Sequence, residues 1–171
     1  MRLLTSSATG TSPSSRRRAA CLSRASDQHP SLLKLSVKSD YATRAVLHLA
    51  RRYSSRETVR VEEIARENGI PPNYLVQILI ELKTGKIVKS VRGKAGGYLL
   101  ARPPGKISFG EVLLCVHGPL FDTPALSDDA CPPQLRDSWL RLRNAIESEA
   151  SKINFQYLVE TGTDPARMFY I

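Results

Sequence analysis

The sequence predicts a mainly helical fold that carries one small β-hairpin and ends in a long helix. Three observations predict it. Apolar residues recur at helical spacing in three successive segments between Val37 and Thr84. A glycine-rich, cationic tip, Arg92-Gly93-Lys94-Ala95-Gly96-Gly97, separates two short β-type runs. Beyond Pro132 and Pro133, apolar residues recur at intervals of three and four from Leu135 as far as Ile153.

The chain has 171 residues, of which 42% are hydrophobic and 24% charged. That usage is ordinary for a globular domain and excludes wholesale disorder. Its longest apolar run, Val112 to Val116, is far short of the roughly 20 residues a membrane helix needs, so no membrane partner is expected. Three scattered cysteines, Cys21, Cys115 and Cys131, with no CxxC, fit a reducing compartment, here the cytoplasm. The net charge of +9 favours polyanions, nucleic acid first and an anionic membrane second.

The charge divides the chain. Residues 1–34 carry six bases and one acid, residues 35–106 carry 14 bases and six acids, and residues 107–171 carry five bases and nine acids. These three blocks are read as a basic extension, a basic binding module and a helical dimerisation region. The first is rich in Ser and Arg and has no apolar periodicity, so it reads as disordered and outside the fold. A nonconserved extension or an upstream start codon is the plainer reading of it. An organelle transit peptide shares its composition, whereas a twin-arginine export signal would need a longer apolar stretch after Arg18.

The first helix is expected from Val37 to Tyr53, with Val37, Tyr41, Ala45, Val46, Leu49 and Tyr53 inward, Ser36 as N-cap and Asp40 in the first turns. A second runs from Val61 to Asn68 on Ile64 and Ala65, and Gly69 stops it. Pro71 and Pro72 restart the chain. A third helix, Asn73 to about Thr84, buries Leu75, Ile78, Leu79 and Leu82 before Gly85. Two helices joined by a short Gly-containing turn make a helix–turn–helix, whose second helix enters the DNA major groove. Its outward residues are Asn73, Tyr74, Val76, Gln77, Ile80 and Lys83. Asn and Gln pair bidentately with adenine, Lys reaches guanine or phosphate, and an outward Val76 suits a thymine methyl.

The hairpin follows at once. Ile87 to Val91, carrying Lys89 and Ser90, reads as one strand and Tyr98 to Ala101 as its partner. A hairpin directly after a recognition helix is the wing of a winged helix, and Arg92, Gly93 and Lys94 at its tip suit phosphate or a narrow minor groove. From Lys83 to Lys106 there are seven bases and no acid. A nucleotide phosphate loop fits less well, because GKAGG matches neither GxxxxGK[ST] nor GxGxxG and no helix opens after it. A tight turn with solvated cations is the plainer alternative.

LSVKSDYATRAVLHLA, IARENGIPPNYLVQILIEL and IVKSVRGKAGGYLLAR, in that order, resemble the opening of the Rrf-two family of bacterial transcription regulators. The resemblance runs from about Leu35 to Ile171, and VRGKAGGYLLAR is its most specific part. It implies a winged helix–turn–helix, double-stranded DNA as partner, and contacts by Asn73, Tyr74, Gln77 and Arg92. Val76 stands where one member has an acidic base-reading side chain.

Downstream, Ser108 and Glu111 read as a capping box for a helix to about His117, in which Cys115 is expected to face the core. Pro119 to Ala130 reads as a loop. The long helix then presents Leu135, Trp139, Leu142, Ile146, Ala150 and Ile153 as a narrow seam. In the resembled family this helix forms the homodimer, which suits a palindromic site. Packing within one chain is the alternative.

Sensor members of that family hold an iron–sulfur cluster on three cysteines in the loop before this helix. Here the loop offers only Cys131. Asp40 stands where one member uses an aspartate ligand, but one thiolate and one carboxylate fall short of the usual four ligands. No cofactor is therefore expected. His117, Asp122, Asp128 and Asp129 read as solvated polar residues, and no catalytic motif is present, so an enzyme is not expected. The expected function is a cluster-free, dimeric, sequence-specific repressor. A redox or metal sensor using Cys131 and Asp40, with Cys131 as an exposed thiol, is one alternative. A winged-helix protein-interaction module is another.

Overall fold

The computed structural model describes residues 35–93 and 96–162. The readings made for residues 1–34, for Lys94 and Ala95 and for 163–171 lie outside the described residues. The elements are α1 (Val37–Arg51), α2 (Val61–Asn68), α3 (Pro72–Thr84), β1 (Val88–Val91), β2 (Gly97–Leu100), α4 (Phe109–His117), α5 (Pro133–Lys152) and α6 (Phe155–Thr161). Short 3-10 turns occur at Tyr53–Ser55, Pro104–Lys106 and Pro124–Leu126.

Helix α1 starts as its sequence dictates. The Ser36 hydroxyl accepts the Ser39 N–H at 3.3 Å, and Asp40 pairs with Arg44 one turn on. Its buried stripe is Ala42, Ala45, Val46, Leu49 and Ala50, mostly small side chains that admit neighbouring helices closely. Val37, expected inward, is 62% exposed because the first turn precedes that stripe. Tyr53 lies past the end of the helix, in the 3-10 turn, where it still packs on the core.

Helix α2 ends at Gly69, whose φ of +64° is the left-handed conformation glycine adopts without strain. Helix α3 buries Leu75, Ile78, Leu79 and Leu82 completely, as the periodicity predicts. Gly85, which follows it, has an ordinary φ of −72°. What it supplies is space: a β-carbon there would lie 2.6 Å from the Cys115 sulfur of α4.

Strands β1 and β2 pair antiparallel, with Val88 opposite Leu100 and Val91 opposite Gly97. Val59 adds a one-residue third strand: its N–H donates to the Tyr98 carbonyl at 2.9 Å, and the Tyr98 N–H returns the bond at 2.8 Å. A single residue has no period, so this bridge left no mark in the sequence pattern.

The second half joins the same core. Ile107, Val112, Val116 and Phe155 lie in one buried cluster with the residues of α1 to β2. The packing therefore shows no break at the expected 106/107 division. Ser108 caps α4 by accepting the Glu111 N–H at 3.1 Å, but the Glu111 carboxylate turns to Arg102, leaving half a capping box. The long helix stops at Lys152, short of the expected Ile153. Ile153 is extended, and its carbonyl accepts the Phe109 N–H at 2.7 Å. Asn154 then caps α6, an element the sequence reading did not contain, and Phe155 is fully buried. Helix α5, 20 residues long, has no buried residue.

A polar network binds α2 to α1. His48, 7% exposed, has Nδ1 3.3 Å from Asn68 Nδ2 and 3.6 Å from a Glu67 carboxylate oxygen. Arg52 reaches both Glu63 and Glu67. Burial, reinforced by the Arg52 charge, holds the His48 pKa below its ordinary 6.5. In the pH range just below 6.5 the unfolded chain therefore binds more protons than the fold at this residue. This contribution to stability is complete above pH 6.5 and declines as pH falls through that value. Urea unfolding at a series of pH values from about 7.5 to 5.5 is expected to show the decline, and His48→Gln should flatten it. An equal slope in the variant would place its origin elsewhere.

The contact of Gly85 with Cys115 gives a second expectation. Gly85→Ala should destabilise the fold by about 1–3 kcal/mol through overpacking. Adding Cys115→Ala should recover most of that loss in denaturant melts. Strict additivity of the two changes would show that the Cys115 sulfur is not the obstacle.

Candidate nucleic-acid interface

The face of α3 opposite its four buried aliphatics carries Asn73, Tyr74, Gln77, Ile80 and Lys83, all exposed. Asn73 and Gln77 are one turn apart and share a face. Val76, expected outward, is half-buried at the edge of this face. Tyr74 is 41% exposed and meets Tyr41 of α1 edge-on, with ring centres 5.9 Å apart. Near the other end of α3, Glu81 pairs with Lys38 of α1 at 2.7 Å. An ion pair this exposed stabilises little by itself. With the ring contact, it joins α3 to α1 at both ends of the face, beside the buried aliphatics that set the helix's orientation.

The wing follows from its glycines. Gly93 has φ +113°, and a β-carbon on Gly96 would come within 2.6 Å of the Val91 carbonyl oxygen. Gly97 is equally confined, by the Val59 carbonyl at 2.5 Å. Arg92 is exposed at this tip. Lys94, its expected companion, lies outside the described residues.

Strand alternation separates two expected contact residues. Val88 and Leu100 are the buried pair, so Ser90 and Tyr98 share their face, and Ser90 is half-buried. Lys89 lies on the other face, where it lines a shallow cavity with Tyr53 and Arg56. Lys89 and Ser90 therefore do not form one contact surface. Two exposed cations that the sequence reading did not single out, Arg56 and Lys86, each sit at φ +56°. Nothing in residue type marks such a position, since left-handed backbone favours Gly or Asn.

On α5, Leu135 and Leu142 are 47% and 42% exposed. Ile146 is half-buried. Trp139 is less free than expected, because it stacks on Phe121 of the loop before α5, 5.8 Å between ring centres. Ile153 lies off the helix altogether.

Of the two thiols, Cys131 differs from expectation, while Cys115 packs against the core as expected. Cys131 is 8% exposed, drawn inward by a turn in which its N–H donates to the Asp128 carbonyl, so it is not an exposed thiol. Cys115 is half-buried, with its sulfur donating to the Glu81 carbonyl at 3.4 Å. Burial, helped by the nearby Glu81 charge, pushes its pKa up. Asp40 is taken by Arg44. Among the described residues one group of three possible metal ligands converges, His48, Glu63 and Glu67, within 4.8 Å. Arg52 already neutralises both of its carboxylates. Neither this set nor the dispersed Cys115 and Cys131 offers the thiolates an iron–sulfur cluster requires. Among the described residues no helix is long and apolar enough to cross a membrane.

Comparison with known proteins agrees with this geometry. The Rrf2 family model, described as an iron-dependent transcriptional regulator, matches residues 35–161. A Mycobacterium tuberculosis protein provisionally described as an HTH-type transcriptional regulator is 39% identical over 121 residues, 68% of this chain and 74% of its own length. The HTH-type transcriptional regulator CymR of Bacillus subtilis is 30% identical over 141 residues, 81% of this chain and all of its own. Its solved structure, that of the global cysteine regulator of B. subtilis, superposes with a TM-score of 0.67 at 27% identity, covering 78% of this chain and 100% of that one. The structure of T. potens IscR gives 0.64 at 27% identity, covering 81% and 93%. The chain belongs to the Rrf2 family of helix–turn–helix transcriptional regulators.

Proposed function

We propose that this regulator acts as a homodimeric, sequence-specific repressor on palindromic operators and does so without an iron–sulfur cluster. The observation that carries the reading is the exposed pair Asn73 and Gln77, one turn apart on a helix whose opposite side is fully buried. Such a helix presents two amides to base edges while its own backing cannot yield. In this reading Tyr74 and Lys83 flank the amides. Arg92, Gly93 and Lys94 hold the backbone or minor groove, with Lys89 and Ser90 on separate faces of the wing. Residues 35–106 bind DNA, and residues 107–171 supply the dimer helix. Occupancy of an operator then blocks access to it.

Base reading and phosphate gripping separate experimentally. Binding should weaken steeply with salt, each neutralised phosphate adding about −0.9 to the log–log slope. Lys94→Ala should reduce that slope by about one without changing base preference. Gln77→Ala should relax preference at one step, at a cost of about 1–3 kcal/mol. The same binding should persist in anaerobically purified, chelator-treated protein. Salt-independent binding would sink the assignment of the surface, and stoichiometric iron with visible sulfur-to-iron absorption would sink the cluster-free reading.

The dimer is supported by the length of α5, 20 residues with none fully buried within its own chain. Leu135 and Leu142 lie on the expected seam and are the residues there that the chain leaves most open. Leu135→Glu with Leu142→Glu should give monomers by sedimentation. Operator affinity should then fall by more than tenfold, because two half-sites no longer act as one bivalent ligand. An unchanged dimer would move the interface elsewhere.

A further inference from the structure

We infer that the cavity between the turn after α1 and the outer face of the wing binds a small organic carboxylate, a monoanion with a short apolar body. The cavity encloses about 260 Å³. At about 30 Å³ per water molecule it admits about eight or nine non-hydrogen atoms, the size of hexanoate. Its apolar wall is built by Leu49 of α1, Tyr53 of the 3-10 turn and Leu99 of β2. Leu49 belongs to the core and Tyr53 packs on it, so this wall is firm. Leu99 lies opposite Lys89 in the sheet, on the face away from the buried pair Val88 and Leu100. It is nevertheless half-buried, so the outer face of the wing offers hydrocarbon here.

Charge lines the rest. Arg52, Arg56 and Lys89 border the cavity, against one acid, Glu57. Arg52 is held by Glu63 and Glu67, whereas among the described residues Arg56 and Lys89 make no ion pair. Glu57 can balance one of these two cations, which leaves room for one anionic group. The Arg56 backbone is pinned on both sides. Its N–H donates to the Tyr53 carbonyl at 3.3 Å, and three residues on, Val59 is bridged to Tyr98. Its φ of +56° strains an arginine and would not strain a glycine. A cation thus stands at the cavity on backbone that favours no side chain at all. DNA phosphate is the rival anion. A phosphate is strongly hydrated and gains nothing from a wall of leucine and tyrosine. A carboxylate with a hydrocarbon tail satisfies cations and wall together, the usual division of labour in a small-molecule site.

Nothing in this site depends on DNA, so it is tested without it. The full chain, labelled at its leucine methyls, is titrated with hexanoate and followed by NMR. Saturable shifts confined to Leu49, Leu99 and their neighbours are expected, with half-saturation on the order of 1 mM. Acetate, which lacks the tail, and hexanol, which lacks the charge, should each bind at least about tenfold more weakly. Arg56→Gly suits the left-handed backbone, so it should keep the wild-type unfolding midpoint while hexanoate affinity falls about tenfold. Lys89→Met should weaken hexanoate by a similar factor. Absent or scattered shifts, or hexanoate affinity unchanged in both variants, would overturn the assignment. Acetate or inorganic phosphate binding as well as hexanoate would make the cavity a plain anion site, and hexanol binding as well would make it a plain apolar one. Either result overturns the carboxylate, and none of these results touches the DNA-binding reading.

Discussion

The fold depends on the packing of α2, α3, α4, α6 and the sheet against α1. That is possible because Ala42, Ala45 and Ala50 leave room for close approach, while Val46 and Leu49 supply apolar area. Each fully buried Leu or Ile of α3 contributes about 1.5–3 kcal/mol of apolar burial. Four such residues commit α3 to one orientation. The exposed amides of Asn73 and Gln77 inherit their direction from that burial, so the outward surface is as well defined as the core behind it.

The wing obeys a further constraint. Its base is packed into the core through Val88 and Leu100, while its tip is shaped by close backbone approach at Gly96 and Gly97, with the bridge to Val59 between. Recognition helix and wing base thus share one packed core, and the wing tip depends in addition on hydrogen bonds and the absence of β-carbons. A change that loosens the sheet edge would move Arg92 at the tip while leaving the amides of α3 in place.

Much of this was legible in the sequence, and the exceptions have physical causes. The helices α2 and α3, the hairpin and the start of α5 follow from periodicity, from proline at a helix start and from glycine at a stop, all of which are local signals. Val59 and α6 were not legible. A one-residue bridge has no period, and a seven-residue helix such as Phe155–Thr161 is marginal alone, taking its stability from the burial of Phe155 against a distant part of the chain. Trp139 shows a related failure. Spacing placed it on the α5 seam, but spacing cannot register that Phe121 lies close enough to stack on it. The candidate DNA surface was legible in residue type and less so in facing: Lys89 and Ser90 are adjacent in sequence and therefore opposite in a strand.

Helix α5 raises the remaining question of energy. An isolated helix of this length is only marginally stable in water, and α5 has no buried residue within its own chain. Its contacts run along α4 and the 3-10 turn at Pro124–Leu126, and the crossing with α4 is tight enough that a β-carbon on Gly110 would lie 3.1 Å from Ala150. That close crossing anchors its C-terminal end, and the stack of Phe121 on Trp139 steadies the part nearer its start. Between and around these anchors the helix still offers leucines to solvent. A second copy meeting those leucines would bury them and would also hold two recognition helices at a fixed separation. In the proposed dimer the same contact would stabilise α5 and set the half-site spacing, and operator geometry would then be tied to the stability of the dimer.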